Sequence, residues 1–356
     1  MSLYRMARSF IGRNFVQPFE DFCAIHHPEV YEFIFYNLRN ETHRQDCGEA
    51  FFMQVTGFED SVRLKRGKDF ALKVPLNFTA PPVKLKVAAV VHIFYPELAE
   101  ELKQLLLNIP CAVDVFISTT SPDKQAAIEK VFGDFDKGRV LVRVFPNRGR
   151  DIAAAFVGFK DIYGSYDACV HIHSKKSLHA EKILSGWRNH LYRNLLGSSA
   201  IVEGILNILA HDEVGLVFPQ HFNPTRTLIH WGKNFHGTKD FLHRLGIEID
   251  HRNLIEFPAG SMFWFKPKAL TPLLDCGLTF DDFPEESGQV DGTLAHVIER
   301  AFLFVVEAAG FGWVKVDTGA GFINPTPLLK SSSQAELTAN IKRARHSVLK
   351  RYEVRQ

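Results

Sequence analysis

Residues 86–109, "KVAAVVHIFYPELAEELKQLLLNI", decide the fold class. The first ten form a nearly continuous apolar run of strand length, too apolar for a strand with one face in water. Pro96 and Glu97 then open a segment with helical spacing of apolar residues, as a first helical turn prefers. A strand covered on both faces and followed at once by a helix is a β-α unit. The pattern repeats in "AVDVFISTT" with "SPDKQAAIEKVFGDF", where Ser121 suits an N-cap and Pro122 the first helical position, and in "RVLVRVF" with "GRDIAAAFVGFKDIY". "YDACVHIHS" supplies a fourth strand. Parallel strands need crossovers, so the expected fold is α/β, with a mostly parallel central sheet flanked by helices.

Further along, "VGLVFPQ" and "FPAGSMFWFKPKAL" carry strands, and "PEESGQVDGTLAHVIERAFLFVVEAAG" is an acidic loop feeding an apolar helix. "WRNHLYRNLLGSSAIVEGILNILAHD" is helical with a Gly-Ser-Ser interruption. Before residue 80, "PEVYEFIFYNLRNE" has helical character, while "FFMQVTGF" and "FALKVPLNF" suit short strands. Consecutive prolines at 81 and 82 cannot continue a helix or a central strand. The expected division is an N-terminal extension over 1–83, a main domain over 84–330, and a basic amphipathic helix over 331–356.

Composition excludes several classes. Lys and Arg total 42 against 40 acidic residues, and a net charge of +2 is too small for wholesale binding to a nucleic acid. Five scattered cysteines without a C-x-x-C pair argue against a disulfide framework or a zinc cage and suit a cytosolic protein. No window approaches a continuous apolar span of membrane length. Serine hydrolase, zincin and phosphate-loop signatures are missing.

In open α/β sheets, ligands bind beyond the carboxyl ends of the strands. That rule selects four loops: "HIFYP" at 92–96, "STTSPD" at 118–123, "PNRGRD" at 146–151 and "HIHSKKS" at 171–177. In the third, Gly149 permits a tight turn, and Arg148 and Arg150 can hold phosphate oxygens bidentately. Asp151 can accept from a ribose or sugar hydroxyl, or it can cap the helix in a solvated turn. His173, Lys175 and Lys176 should join the arginines on one rim, a cluster suited to a diphosphate. Asp291 suits an N-cap and, like Glu286, can serve as a general base at the rim. In "PAGSMFW", Gly260 and Ser261 allow close backbone approach, and Trp264 offers a stacking face or a buried ring.

The succession "NRGRDIAAAF", "HIHSKKS", "FPAGSMFWFKP" and "DGTLAHVIER" resembles the rhamnan synthesis protein F family over about residues 84 to 322. The resemblance implies a GT-A-like, nucleotide-sugar-dependent glycosyltransferase of cell-surface polysaccharide assembly, with dTDP-L-rhamnose or a related deoxysugar as donor. On that basis His92, Tyr95, Ser118 and Thr119 flank base and ribose. Asn147 through Asp151 hold ribose, sugar or phosphate, and Lys175 and Lys176 hold the diphosphate. Gly260, Ser261 and Trp264 face the acceptor, and Asp291, then Glu286, is the base of an inverting transfer. Where many such enzymes carry an Asp-x-Asp motif this chain reads "HIHSKKS", so no divalent metal such as Mg or Mn is expected to be required. The alternatives are a nucleotide-sugar hydrolase or epimerase and a non-catalytic glycan- or nucleotide-binding module. The expected location is cytoplasmic. The basic tail either lies on anionic lipid near a lipid-linked acceptor or packs on the domain.

Overall fold

A computed structural model describes residues 69–350 apart from 175–180, 233, 251, 252, 254, 288–290 and 321–325, and apart from the side chains of 181–185, 227 and 228. Among the described residues nine strands form one sheet: β1 Ala71–Lys73, β2 Val87–His92, β3 Val113–Thr119, β4 Val140–Val144, β5 Ala168–His173, β6 Val214–Pro219, β7 Phe263–Phe265, β8 Gly312–Asp317 and β9 Leu328–Leu329. Their order is β4-β3-β2-β5-β7-β6-β8-β1-β9, parallel throughout except for β7, which runs antiparallel to both neighbours. The mostly parallel α/β sheet is therefore the one expected.

The strand residues alternate between two cores. Val87, Ala89 and Val91 of β2 pack with α1 Ala99–Leu106, α2 Pro122–Phe132 and the pair α4 Glu181–Leu196 and α5 Ser199–Leu209. Ala88 and Val90 face the opposite layer, where Phe156, α6 Phe235–Arg244 and α8 Leu294–Ala308 lie. Burial on both faces explains why the strands are near-continuous apolar runs. Ser121 caps α2 by accepting the Lys124 N–H, with Pro122 at its first position. The helix after β4 is short: α3 Arg150–Ala153 passes into a π-helical turn, Ala154–Gly158.

Three features add to the expected arrangement. β1 precedes the paired prolines yet lies between β8 and β9, so the sheet takes in residues assigned to the N-terminal extension. β8, in "FGWVKVD", pairs with β6 and β1 and was not foreseen. α9 Gln334–Ala344 buries Leu337, Ile341 and Ala344 in the same core as β1, so the apolar face of the tail helix is covered by the sheet. The expected helix and strand at 28–41 and 51–58 lie outside the described residues.

Chain order fixes where a ligand can enter. From β2 the chain steps outward through β3 to β4, then returns to place β5 on the other side of β2. The crossovers leave a crevice beyond the carboxyl ends of β2 and β5, the switch point at which such sheets bind ligands.

Candidate functional site

A cleft of about 570 Å³ opens at that switch point. Its floor is set by the loops after β2 and β5. The Ser174 N–H donates to the His92 carbonyl at 2.8 Å, and the Ser174 hydroxyl accepts the N–H groups of Phe94 and Tyr95 at 2.9 and 3.2 Å. Thr119 donates its hydroxyl to the Ile93 carbonyl at 2.8 Å, and Ser118 Oγ lies 2.9 Å from His92 Nδ1. Ser118 and Thr119 are thus buried supports of the turn and do not line the cleft, contrary to expectation. Their hydroxyls satisfy groups that the strand ends leave unpaired. His92 does line it, and burial, with His173 and Lys124 nearby, lowers its pKa to about 3, so the ring is neutral. Tyr95 and Phe94 form one aromatic wall and Trp187 of α4 another. The Lys124 ammonium lies 3.6 Å from the centre of the Phe94 ring.

The turn at 147–151 sends its two arginines in different directions. Gly149 has φ +64°, and Arg150 follows with φ +54°. Arg148 turns outward to Glu285 at 3.0 Å and the Phe283 carbonyl at 3.2 Å, so it does not join the cleft. Arg150 points in, donating from Nε to Glu286 at 3.1 Å and from Nη1 to His296 Nε2 at 3.2 Å. Because a guanidinium only donates, Nε2 of a neutral His296 is the acceptor, while Nδ1 lies 2.8 Å from Thr293 Oγ1 and 3.3 Å from the Thr293 backbone nitrogen. Burial and the charge of Arg150 lower the His296 pKa, which suits that neutral form. Asn147 and Asp151 also line the cleft. Asp151 is buried with its Oδ2 3.7 Å from His171 Nε2 and 4.0 Å from His173 Nε2, and it makes no side-chain cap. His173 donates toward the Gly260 carbonyl at 2.8 Å.

Two glutamates face these groups. Glu286 approaches from the acidic loop, and Glu299 from α8. Glu299 Oε1 accepts the Gly260 N–H at 2.9 Å and the Ser261 hydroxyl at 3.1 Å. That fixes a turn in which Gly260 has φ +87° and Ser261 φ +53°. Among the described residues Arg150 and Ser261 are the non-glycine positions with positive φ, and both line the cleft. Strained backbone of this kind costs of order 1–3 kcal/mol and gathers at functional sites.

Asp291 is elsewhere. It accepts from Asn234 Nδ2 at 2.6 Å, lies 3.7 Å from Arg300, and does not line the cleft. Nor is it the cap of α8, a role taken by Thr293 with His296. Trp264 is fully buried, its indole N–H donating to the Leu195 carbonyl at 3.1 Å, because the parity of β7 turns it to the opposite layer. Lys175 and Lys176 lie outside the described residues. Glu299, His296 and Trp187 were not anticipated; the first two form an i, i+3 polar pair near the start of a largely apolar helix, a signal present in the sequence. Among the described residues no three His, Cys, Asp or Glu side chains are grouped to share a metal ion.

Fold and cleft together define an α/β protein with a polar, aromatic-walled cleft at the switch point of a doubly covered sheet. Residues 73–311 match the rhamnan synthesis protein F family, and the chain belongs to it. That places it in a family of polysaccharide synthesis. It is 32% identical over 257 residues to the uncharacterized protein WxcX of Xanthomonas campestris pv. campestris strain B100. It is 31% identical over 257 residues to WxcX of a second strain. Each comparison covers 70% of this chain and 36% of the relative, so the chain spans little more than a third of the length of the curated relatives it matches.

Proposed function

We propose that the chain is a glycosyltransferase, of GT-A-like fold and cytoplasmic, that moves a sugar from a nucleoside-diphosphate donor to a hydroxyl of a growing cell-surface polysaccharide. Rhamnose or a related deoxysugar is the proposed cargo, in keeping with the family. The observation that carries this reading is the composition of the switch-point cleft: one inward arginine and three carboxylates, Asp151, Glu286 and Glu299, between aromatic walls. Tyr95 lies beside the base and Asn147 and Asp151 beside ribose or sugar hydroxyls, while Arg150 with Lys175 and Lys176 neutralises the diphosphate. Gly260 and Ser261 border the acceptor.

Glu286, which lines the cleft, takes the role of base in this reading in preference to Asp291, which does not line it. The acceptor oxygen attacks the anomeric carbon, the bond from that carbon to the diphosphate oxygen breaks, and the diphosphate leaves with the electron pair. The acceptor proton passes to Glu286, and the anomeric centre inverts. Cations placed where the leaving charge develops do the work that a metal performs elsewhere, so the proposed enzyme requires no divalent ion.

Calorimetric titration with dTDP, UDP and GDP, first in EDTA and then with Mg or Mn, tests the site. Preferential dTDP binding undiminished by EDTA is expected, followed by rhamnosyl transfer to a glycan acceptor. Donor consumption without an acceptor would instead mark a hydrolase or epimerase, and binding without turnover a recognition module.

A further inference from the structure

The inward arginine is already engaged. Arg150 Nε meets Glu286 Oε2 at 3.1 Å, and the Glu286 side chain is only 15% exposed. The guanidinium that should hold a diphosphate and the carboxylate that should take the acceptor proton therefore neutralise each other. Their second contacts are unequal. His296 Nε2 holds Arg150 at 3.2 Å as a neutral acceptor, which keeps the guanidinium in the cleft without cancelling its charge. Arg148 and Glu285 anchor the acidic loop from outside, with the Glu286 N–H donating to the Asn147 carbonyl at 3.4 Å. The loop can thus stay docked while the inner ion pair exchanges partners.

We infer that the Arg150–Glu286 pair is a latch opened by a diphosphate group, so that donor binding releases the base. The inference rests on the donor-site reading above. A diphosphate carries more charge than a carboxylate and presents paired oxygens to the guanidinium fork, so it displaces Glu286 from Arg150. The carboxylate released from the guanidinium is then available to accept the proton of an acceptor hydroxyl. Proton abstraction from an acceptor is then confined to the donor-loaded enzyme, and binding is ordered with donor first.

The latch opposes the donor, so removing it should tighten binding. Calorimetry with dTDP and UDP on the full chain should give roughly fivefold higher affinity for Glu286→Gln than for the wild type, the scale of one partly exposed ion pair. Transfer by the same variant should be lost. Simple removal of repulsion predicts the same direction, so the substitution is repeated in an Arg150→Gln background, where the gain should shrink to less than about twofold. Glu286→Ala should behave as Glu286→Gln does, with melting temperatures confirming that each variant is folded. An unchanged or weakened affinity in both Glu286 variants, or an equal gain in the two backgrounds, overturns the latch and leaves the donor site standing. Failure of the wild type to bind any nucleoside diphosphate removes the donor site and the latch with it.

Discussion

At Gly149, φ is +64° and a Cβ would run into the Phe283 ring and the Ala153 methyl. The glycine is therefore required by the packing of the acidic loop against the turn, and Gly149→Ala should cost about 1 to 3 kcal/mol, read as a lower denaturation midpoint. A variant as stable as the wild type would mean that the turn relaxes freely. Glu299 makes a different demand. Glu299→Gln keeps an oxygen for the Gly260 N–H and should change stability little, whereas Glu299→Ala leaves that buried donor unpaired at a cost of about 1 to 3 kcal/mol. On the proposed function, the alanine variant raises the acceptor KM more than it lowers kcat, because it loosens the Gly260–Ser261 turn; steady-state kinetics would reveal the opposite split if Glu299 were the base. These residues also mark how far sequence alone reaches. Glycine, arginine and carboxylate at 147–151 are legible as a polar turn at the carboxyl end of β4. That Arg148 and Arg150 diverge is not, since two residues of backbone in an unusual conformation set the directions. Trp264 and Trp187 are equally aromatic in the sequence, and only the parity of β7 and the position of α4 separate the buried ring from the cleft wall.

β2, β3 and β5 were legible because burial on both faces writes a strand as a continuous apolar run, whereas the edge strand β4, only partly buried, was legible from its run of β-branched and apolar residues. β8 is masked by the Trp and Lys in "GWVKVD"; both are buried, and Lys315 finds partners that only the fold supplies. The antiparallel course of β7 has no local signature at all. α9 was legible as a basic amphipathic helix, whose apolar face suits lipid and protein equally. The fold resolves that choice: Leu337 and Ile341 are buried, the Arg343 guanidinium lies 4.7 Å from the centre of the Phe70 ring, and Arg345 pairs with Glu213. Leu337→Ala should therefore destabilise the whole domain by about 2 to 5 kcal/mol in chemical denaturation, as a core truncation does. A value near zero would show that α9 detaches from the sheet in solution. No helix among the described residues is long and apolar enough to cross a membrane.

Outside the residues that line the cleft, a buried ionic network ties together segments remote in the chain. Asp69, just before β1, contacts Lys315 of β8 and Arg226 of the loop after β6; Lys315 also meets Glu256 at 3.1 Å, and His221 meets the other Glu256 oxygen. Two carboxylates and two fixed cations cancel, so the group is built for internal balance. It also couples the segment ahead of the paired prolines to the body of the sheet. Burial raises the Asp69 pKa, but Lys315 and Arg226 outweigh it and hold the carboxyl well below its ordinary value of 3.8. A depressed folded-state pKa means stability that is complete above the unfolded value and lost as pH falls below about 4. The neutral His92 adds a loss beginning higher: its folded pKa near 3 lies below the ordinary 6.5, so the unfolded chain binds a proton first as pH falls from 6.5. Urea denaturation across pH 7 to 3 should thus show stability falling first through the histidine range and then more steeply below 4. Lys315→Met tests the network directly. It strands Asp69 and Glu256 with fewer cations and should cost about 3 to 5 kcal/mol, whereas adding Asp69→Asn should recover part of that loss by removing one buried charge. If the double variant were less stable than the single by the full effect of Asp69→Asn alone, the two residues would be energetically independent and the coupling of β1 to β8 would rest on backbone pairing and apolar packing.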